Sequence, residues 1–146
     1  MRRIMIDAHE DIAYSAITFD RDYSKSAAEI RKSEQFTEIP DRNGQAMLGY
    51  SDWQIANVGI IFSTLFVMHR KYQQADWEKV VYRNSQEAHS LLQQQVDYYS
   101  HLEDDFPEKF VLLKKSSEYL QHWEILKNPS LPSFSIGLVL LMEGAD

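Results

Sequence analysis

The sequence predicts an α/β fold in which the strands run parallel. Two near-continuous apolar runs, 58–67 and 134–142, have the length and composition of strands that are buried on both faces. Between them, residues 84–102 carry apolar side chains at the three- and four-residue spacing of an amphipathic helix. Strands that alternate with helices along a chain are typical of parallel sheets.

The first predicted element is a short strand over residues 4–8 that ends at His9. Residues 12–50 follow as a mostly polar segment. This segment has too few apolar residues to form its own core, so we expect it to lie over another part of the fold. Within it, the pattern predicts a short helix at 24–35, capped by Ser24 or Ser26. Loop-forming residues follow at Pro40, Asn43 and Gly44.

The clearest helix, 84–102, opens with Asn84 and Glu87 at the spacing of a capping box. Residues 110–113 are open to two interpretations. They either continue a helix that begins near Pro107 or form a short strand before another helix. The apolar run 134–142 then closes the order of elements as a buried strand.

Composition excludes several classes of function. The 146 residues are 44% hydrophobic and 25% charged, which is the profile of one globular domain. The net charge is −7 and lysines and arginines are not clustered, so the sequence predicts no nucleic-acid partner. There is no cysteine, so a metal would have to bind to His, Asp or Glu.

The sequence also predicts no contact with a membrane. The longest apolar run, 58–68, is interrupted by Ser63 and Thr64 and is shorter than the roughly 20 residues that span a bilayer. The basic start of the chain is not followed by the apolar region of a signal peptide. We therefore expect a cytoplasmic protein.

Chemically informative residues lie where the predicted strands end. His9 and Asp11 stand two residues apart, where alternate residues of a strand share a face. The carboxyl ends of parallel strands are where ligands bind in α/β proteins, and an imidazole beside a carboxylate suits zinc. A histidine held only by a neighbouring carboxylate would give the same pattern.

Glu143 directly follows the last apolar strand. A carboxylate buried there would need a cation, a metal or a hydrogen-bond network as its partner. The simpler interpretation is that Glu143 is the first solvated residue after the strand. Its predicted position at the same end of the sheet as His9 and Asp11 favours a shared site.

The other histidines carry weaker signals. His69 follows the second strand beside two basic residues, which is typical of a solvated loop. His89, His101 and His122 fall in helical segments, where surface or packing roles are expected. The sequence contains no Gly-x-Ser-x-Gly motif and no glycine-rich phosphate loop.

Together, these motifs resemble the renal (membrane) dipeptidase family of zinc peptidases. Residues 6–11, Ile-Asp-Ala-His-Glu-Asp, are similar to the Asp-Gly-His-x-Asp opening of that family, with Ala8 in place of glycine. The run 58–67 resembles its second barrel strand, and 85–99 the helix that follows. Residues 137–146 resemble its third strand with the Glu-Gly signature.

The resemblance implies part of a (β/α)₈ barrel, roughly its first three βα units, with residues 1–146 forming a single incomplete metallohydrolase domain. It implies a pair of zinc ions, with His9 and Asp11 as ligands of the first. Glu143 would bridge the two ions and so act as the catalytic residue. The paired metals would activate a water to attack the peptide bond of a dipeptide substrate.

The family places its remaining histidine ligands and an acid/base aspartate on later strands. The expectation is therefore an N-terminal fragment of a zinc-dependent dipeptidase that is inactive alone. The alternative expectation is a non-catalytic α/β interaction module. Such a module would form a homo-oligomer or pair with a C-terminal barrel half through its exposed strand edges.

Overall fold

The computed structural model describes residues 3–144, which form a parallel α/β fold. One sheet has four strands, which in spatial order are β1 (Met5–Glu10), β2 (Val58–Leu65), β6 (Ile136–Met142) and β5 (Phe110–Leu112). Two short strands, β3 (Met68–His69) and β4 (Val81–Tyr82), pair in parallel as a separate ribbon. The helices of this part of the chain are α1 (Ile12–Phe19), α2 (Ala27–Glu34), α3 (Ile39–Asn43), α4 (Tyr50–Ala56), α5 (Ser85–Asp105) and α6 (Ser116–Leu126), with a 3₁₀ turn at Arg70–Tyr72.

The predicted parallel sheet is confirmed, because every pair of neighbouring strands runs parallel. The three predicted strands are joined by a fourth, since the ambiguous segment 110–113 forms β5. β5 precedes β6 in the chain but lies on its far side from β2. In a (β/α)₈ barrel successive strands are neighbours, so this order supports a parallel α/β sheet without establishing a barrel.

Helices cover both faces of the sheet. Ile60 and Ile61 are consecutive in β2 and therefore point to opposite faces. Ile61 belongs to the larger apolar cluster, which includes residues of α1, α2, α4 and α5. Ile60 packs in a second cluster with Leu126 of α6. In a (β/α)₈ barrel one face of each strand points into the interior, where it packs against other strands, and the helices lie outside. The position of α6 on the second face of the sheet is therefore a further difference from a barrel.

The segment 12–50 contributes more to the core than its polarity predicted. Helix α1 of this segment contacts β2. The buried apolar residues of the whole segment include Ile12, Ala13, Phe19, Tyr23, Ile30 and Ala46. The expectation that this segment lies over the rest of the fold is confirmed. However, helices α1, α3 and α4 were not predicted.

The short helices of this segment have local causes. Ser26, one of the two predicted caps, begins α2 with a reciprocal capping box, in which Ser26 N donates to Glu29 Oε2 at 2.9 Å. The loop predicted around Pro40 is wrong, because residues 39–43 form α3. Proline is tolerated in the first turn of a helix, where its missing N–H has no partner to lose.

Helix α5 begins as predicted. The N–H of Glu87 donates to Asn84 Oδ1 at 2.9 Å, so Asn84 is the N-cap. The Glu87 carboxylate accepts from Arg83 N at 2.8 Å, one residue earlier than in the usual capping box.

Helix α6 packs closely on the sheet because glycine lines its contact. A Cβ added at Gly137 would lie 2.5 Å from Leu113 Cδ1 and 2.9 Å from the His122 ring. His122 is buried, with Nε2 3.1 Å from the carbonyl oxygen of Gly59. Burial lowers the pKa of His122, so this histidine stays neutral and has the packing role expected of it.

Within residues 3–144, no helix combines the length and apolar character needed to cross a membrane.

Candidate metal centre

Three ionisable side chains converge at the carboxyl end of the sheet. His9 Nε2 lies 3.6 Å from Asp11 Oδ1 and 3.6 Å from Glu143 Oε2. One ligand atom from each of the three residues can be chosen so that all lie within 4.8 Å of one another. In the part of the chain that the structure describes, this is the sole His/Asp/Glu group with such geometry. The structure thus brings together the three residues that the sequence predicted to share a site.

The order of the strands creates this meeting point. β1 and β6 both pair with β2, so their axes are roughly 9–10 Å apart at the usual strand spacing. The N–H of Glu143 donates to the carbonyl of Leu65 at 3.1 Å, which fixes Glu143 at the end of β2. His9 and Glu143 therefore reach toward each other over the end of the central strand.

Asp11 reaches the site differently from the way the sequence predicted. The strand ends at Glu10, and Asp11 is the N-cap residue of α1 rather than a strand residue on the same face as His9. The two side chains are still neighbours, because the chain turns into the helix directly after the strand. The two residues are close together as predicted, but the reason is the turn into the helix and not a shared strand face.

Glu143 is the first solvated residue after the strand, as the simpler interpretation of the sequence predicted. β6 is buried from Ile136 to Leu138 and becomes progressively more exposed toward Met142. The Glu143 side chain is 42% exposed, so it does not require a partner to offset desolvation. The relevant observation is that His9 lies within 3.6 Å of it.

A buried layer of two hydroxyl-bearing residues, one from β2 and one from α5, stabilises the position of Asp11. The hydroxyl of Thr64, a fully buried residue of β2, donates to Asp11 Oδ1. The hydroxyl of Tyr99, on α5, donates to the Thr64 carbonyl at 3.0 Å and accepts from Ala13 N at 3.2 Å. Neither Thr64 nor Tyr99 was among the predicted site residues. The available signal was a threonine that interrupts an otherwise apolar buried strand.

Glu10 lies beside His9 and Asp11. Burial, a hydrogen bond to Asp7 and the negative charges of Asp7 and Asp11 raise the pKa of Glu10 to about 8. Glu10 is therefore mainly protonated at neutral pH and adds little negative charge to the group.

A cavity of about 300 Å³ opens beside His9 and Asp11. Arg21 lines its wall and is held in place by Glu34, with Arg21 Nε 2.7 Å from Glu34 Oε1. Another guanidinium nitrogen of Arg21 donates to the carbonyl of Gly44 at 2.8 Å. The ion pair with Glu34 is almost completely buried. The hydrogen bond to Gly44 joins Arg21 to the segment 43–48, several residues of which also line the cavity.

The remaining histidines lie elsewhere. His69 Nδ1 accepts from Lys71 N at 3.1 Å, and its ring contacts Tyr72 and Tyr82 edge-on. The three histidines predicted to lie in helices do so: His89 and His101 on α5, and His122 on α6.

The donor set fits a divalent ion of the zinc type. An imidazole nitrogen and two carboxylate oxygens are ligands that zinc accepts, with open positions left for water in catalytic sites. Tetrahedral ligands about 2.0–2.1 Å from zinc lie about 3.4 Å from one another. The two 3.6 Å separations need little adjustment to reach this value. Asp11 and Glu143 would have to approach each other if their separation is near the 4.8 Å limit.

Comparisons with known proteins leave the family of this chain open. No protein-family model matches the chain, and no curated protein or solved structure matches it either.

Proposed function

We propose that this chain forms the first metal site of a zinc-dependent dipeptidase of the renal type. The observation that carries the proposal is the convergence of His9, Asp11 and Glu143 at the carboxyl end of a parallel sheet. These residues come from both ends of the described chain, and they are the residues that the family resemblance assigns to zinc. The fit of the donor set to zinc supports the same assignment.

Bound zinc would supply a Lewis acid and a water of lowered pKa for attack on a peptide carbonyl. In this scheme His9 and Asp11 would hold the first ion. Glu143, whose Oε2 lies 3.6 Å from His9 Nε2, would help to hold both that ion and the second. The cavity beside the group, about 300 Å³, would receive a small substrate such as a dipeptide.

The proposal includes a (β/α)₈ barrel for the complete enzyme. β1, β2 and β6 would be its first three strands, since they lie side by side in that order in the four-stranded sheet, whereas β3 and β4 form a separate ribbon. Further strands would then replace the three-residue β5 beside β6, and α6 would leave the sheet face opposite the other helices, which would become the barrel interior. Residues 3–144 supply one metal cluster, so the 146-residue chain alone should not hydrolyse dipeptides.

Zinc titration of the purified protein tests the metal site. Isothermal titration calorimetry should show one equivalent of zinc bound by the wild type and none by His9→Ala, because His9 is the central ligand of the group. His89→Ala is the matched control: it removes an exposed histidine of α5 that lies outside the group, and it should bind zinc like the wild type.

Two results would contradict this proposal. If the wild type binds no zinc, or if His9→Ala binds it as well as the wild type does, the three side chains do not form a zinc site. Zinc-dependent cleavage of a dipeptide by the chain alone would leave the metal site intact but overturn the expected inactivity.

A specific observation favours a second candidate, the interaction module. β1 pairs only with β2 in the described sheet, so its other edge is open, and two large apolar side chains of β1 are exposed: Met5 at 52% and Ile6 at 47%. An open strand edge beside apolar side chains can pair with another chain. A second copy, or a chain that carries the rest of a barrel, would cover these residues.

Light scattering tests this candidate. We expect an oligomer for the wild type and a shift toward monomer for Ile6→Lys, since a charge beside an open edge opposes pairing. Exposed Leu120→Lys on α6 is the control and should not change the molar mass. A monomeric wild type at high protein concentration would exclude self-association.

A further inference from the structure

The Asp11 side chain does not make the hydrogen bond that is usual for an aspartate at its position. Asp11 is the N-cap residue of α1, and an aspartate at this position usually accepts a hydrogen bond from the second or third N–H of the helix. Here the Asp11 side chain makes no such bond, although its main-chain carbonyl accepts from Ser15 N at 3.0 Å. The carboxylate is thus directed away from the helix that it begins.

Two hydroxyl groups account for this orientation. Tyr99 reaches in from α5 and accepts the hydrogen bond from Ala13 N at 3.2 Å, so it satisfies a helix N–H that Asp11 would normally satisfy. Thr64 donates its hydroxyl proton to Asp11 Oδ1 from below. Tyr99 also holds the carbonyl of Thr64 at 3.0 Å, which links the two hydroxyls into one layer.

We propose that Thr64 and Tyr99 are positioning residues of the metal centre, which keep the Asp11 carboxylate off the end of α1 and turned toward His9. This inference rests on the proposed zinc site. Neither residue would touch the ion. Their effect is to remove the competing capping geometry, so that Asp11 is prepared as a ligand before the ion arrives.

Burial makes this layer effective. Thr64 and Tyr99 both have a relative exposure of 0%, so water does not compete for their hydrogen bonds. Burial also raises the pKa of Tyr99, so its hydroxyl remains a donor throughout the neutral range. Carboxylates that bind metals are commonly oriented by such hydrogen bonds from groups behind them.

The test measures zinc affinity in four variants by calorimetry. Thr64→Val keeps the shape of the side chain but removes the hydroxyl, and we expect zinc to bind about 10–100-fold more weakly. Thr64→Ser keeps the hydroxyl and should retain most of the affinity. Tyr99→Phe frees the N–H of Ala13 for Asp11 and should also weaken binding, although the hydrogen bonds of the Tyr99 hydroxyl go to Ala13 and Thr64 and not to the three ligands.

The fourth variant, Thr18→Val, is the matched control. Thr18 is also buried, and its hydroxyl is among the buried side-chain atoms of residues 3–144 without a hydrogen-bond partner. The same substitution there should leave zinc affinity unchanged. Thermal unfolding of each metal-free variant separates loss of a ligand orientation from loss of the fold.

A metal-free measurement follows the orientation of Asp11 directly. In the wild type, Asp11→Ala removes no helix cap, so its cost in stability should come from the hydrogen bond with Thr64 alone. In the Tyr99→Phe background the same change should cost more, because Asp11 then also caps α1. The difference between the two effects is the coupling expected from this arrangement.

The outcomes separate the two proposals. If the wild type binds zinc and Thr64→Val binds it equally well, the positioning role is wrong and the zinc site stands. If Thr64→Ser is as weak as Thr64→Val, the hydroxyl is not the cause and the positioning role is again wrong. If the wild type binds no zinc, the proposed function fails, and the role of these residues in it fails with it.

Discussion

Replacing Glu34 by alanine is expected to lower the free energy of unfolding by about 3–5 kcal/mol, because it leaves the buried charge of Arg21 without its carboxylate counter-charge. The side chains of Arg21 and Glu34 are only 6% and 4% exposed, so water cannot replace the lost carboxylate. Urea denaturation of both proteins at neutral pH measures the difference.

Glu38→Ala supplies the matched control. Glu38 also forms an ion pair, with Arg42, but its side chain is 75% exposed. Exposed pairs contribute about 0–1 kcal/mol, so this variant should unfold almost like the wild type. Similar losses in the two variants would show that burial of Arg21 and Glu34 does not determine their contribution.

The second large effect is expected at Gly49, where alanine should cost about 3 kcal/mol or more through overpacking. A Cβ at this position would lie 2.2 Å from the carbonyl oxygen of Lys25 and 3.0 Å from the carbonyl carbon of Ser26. These are backbone atoms, and they are held where they are because the next N–H, that of Tyr50, donates to the same Lys25 carbonyl at 2.8 Å. Alanine would therefore separate α4 from the start of α2.

Gly59→Ala tests whether backbone contact is the reason. A Cβ at Gly59 would meet side-chain atoms, Leu126 Cδ1 at 2.6 Å and Ile4 Cγ2 at 2.9 Å, and these can rotate away. We expect a smaller loss there, about 1–2 kcal/mol, from the same denaturation measurement. A larger loss for Gly59→Ala than for Gly49→Ala would contradict this explanation.

The strands of the sheet could be predicted because their pattern is local. Residues 58–65 and 136–142 are apolar with little interruption, which is how a strand buried on both faces is encoded. Helices α1 and α4 could not be predicted in the same way. They have only eight and seven residues, and they are stabilised by packing on the sheet rather than by a strong periodic pattern of their own.

The convergence of the candidate ligands was predictable for a similar reason. The hydrogen bonds of Thr64 and Tyr99 that orient Asp11 were not predictable. Parallel strands place their carboxyl ends at one edge of a sheet, so the sequence was sufficient to predict that His9 and Glu143 meet. The contact between Tyr99 and Thr64 joins residues 35 positions apart and depends on how α5 crosses the sheet. No local sequence pattern encodes that crossing.

The position of β2 between β1 and β6 has a consequence for assembly of the fold. His9 lies in β1 and Glu143 directly follows β6, and these two strands do not pair with each other. The two residues meet only when β2 lies between the strands with its end at the correct level. A complete ligand group therefore forms only when the strands have the correct order. A missing, inserted or shifted strand would separate the three ligands. An ion that binds all three would select the correctly ordered sheet and would join the first and last strands of the described chain.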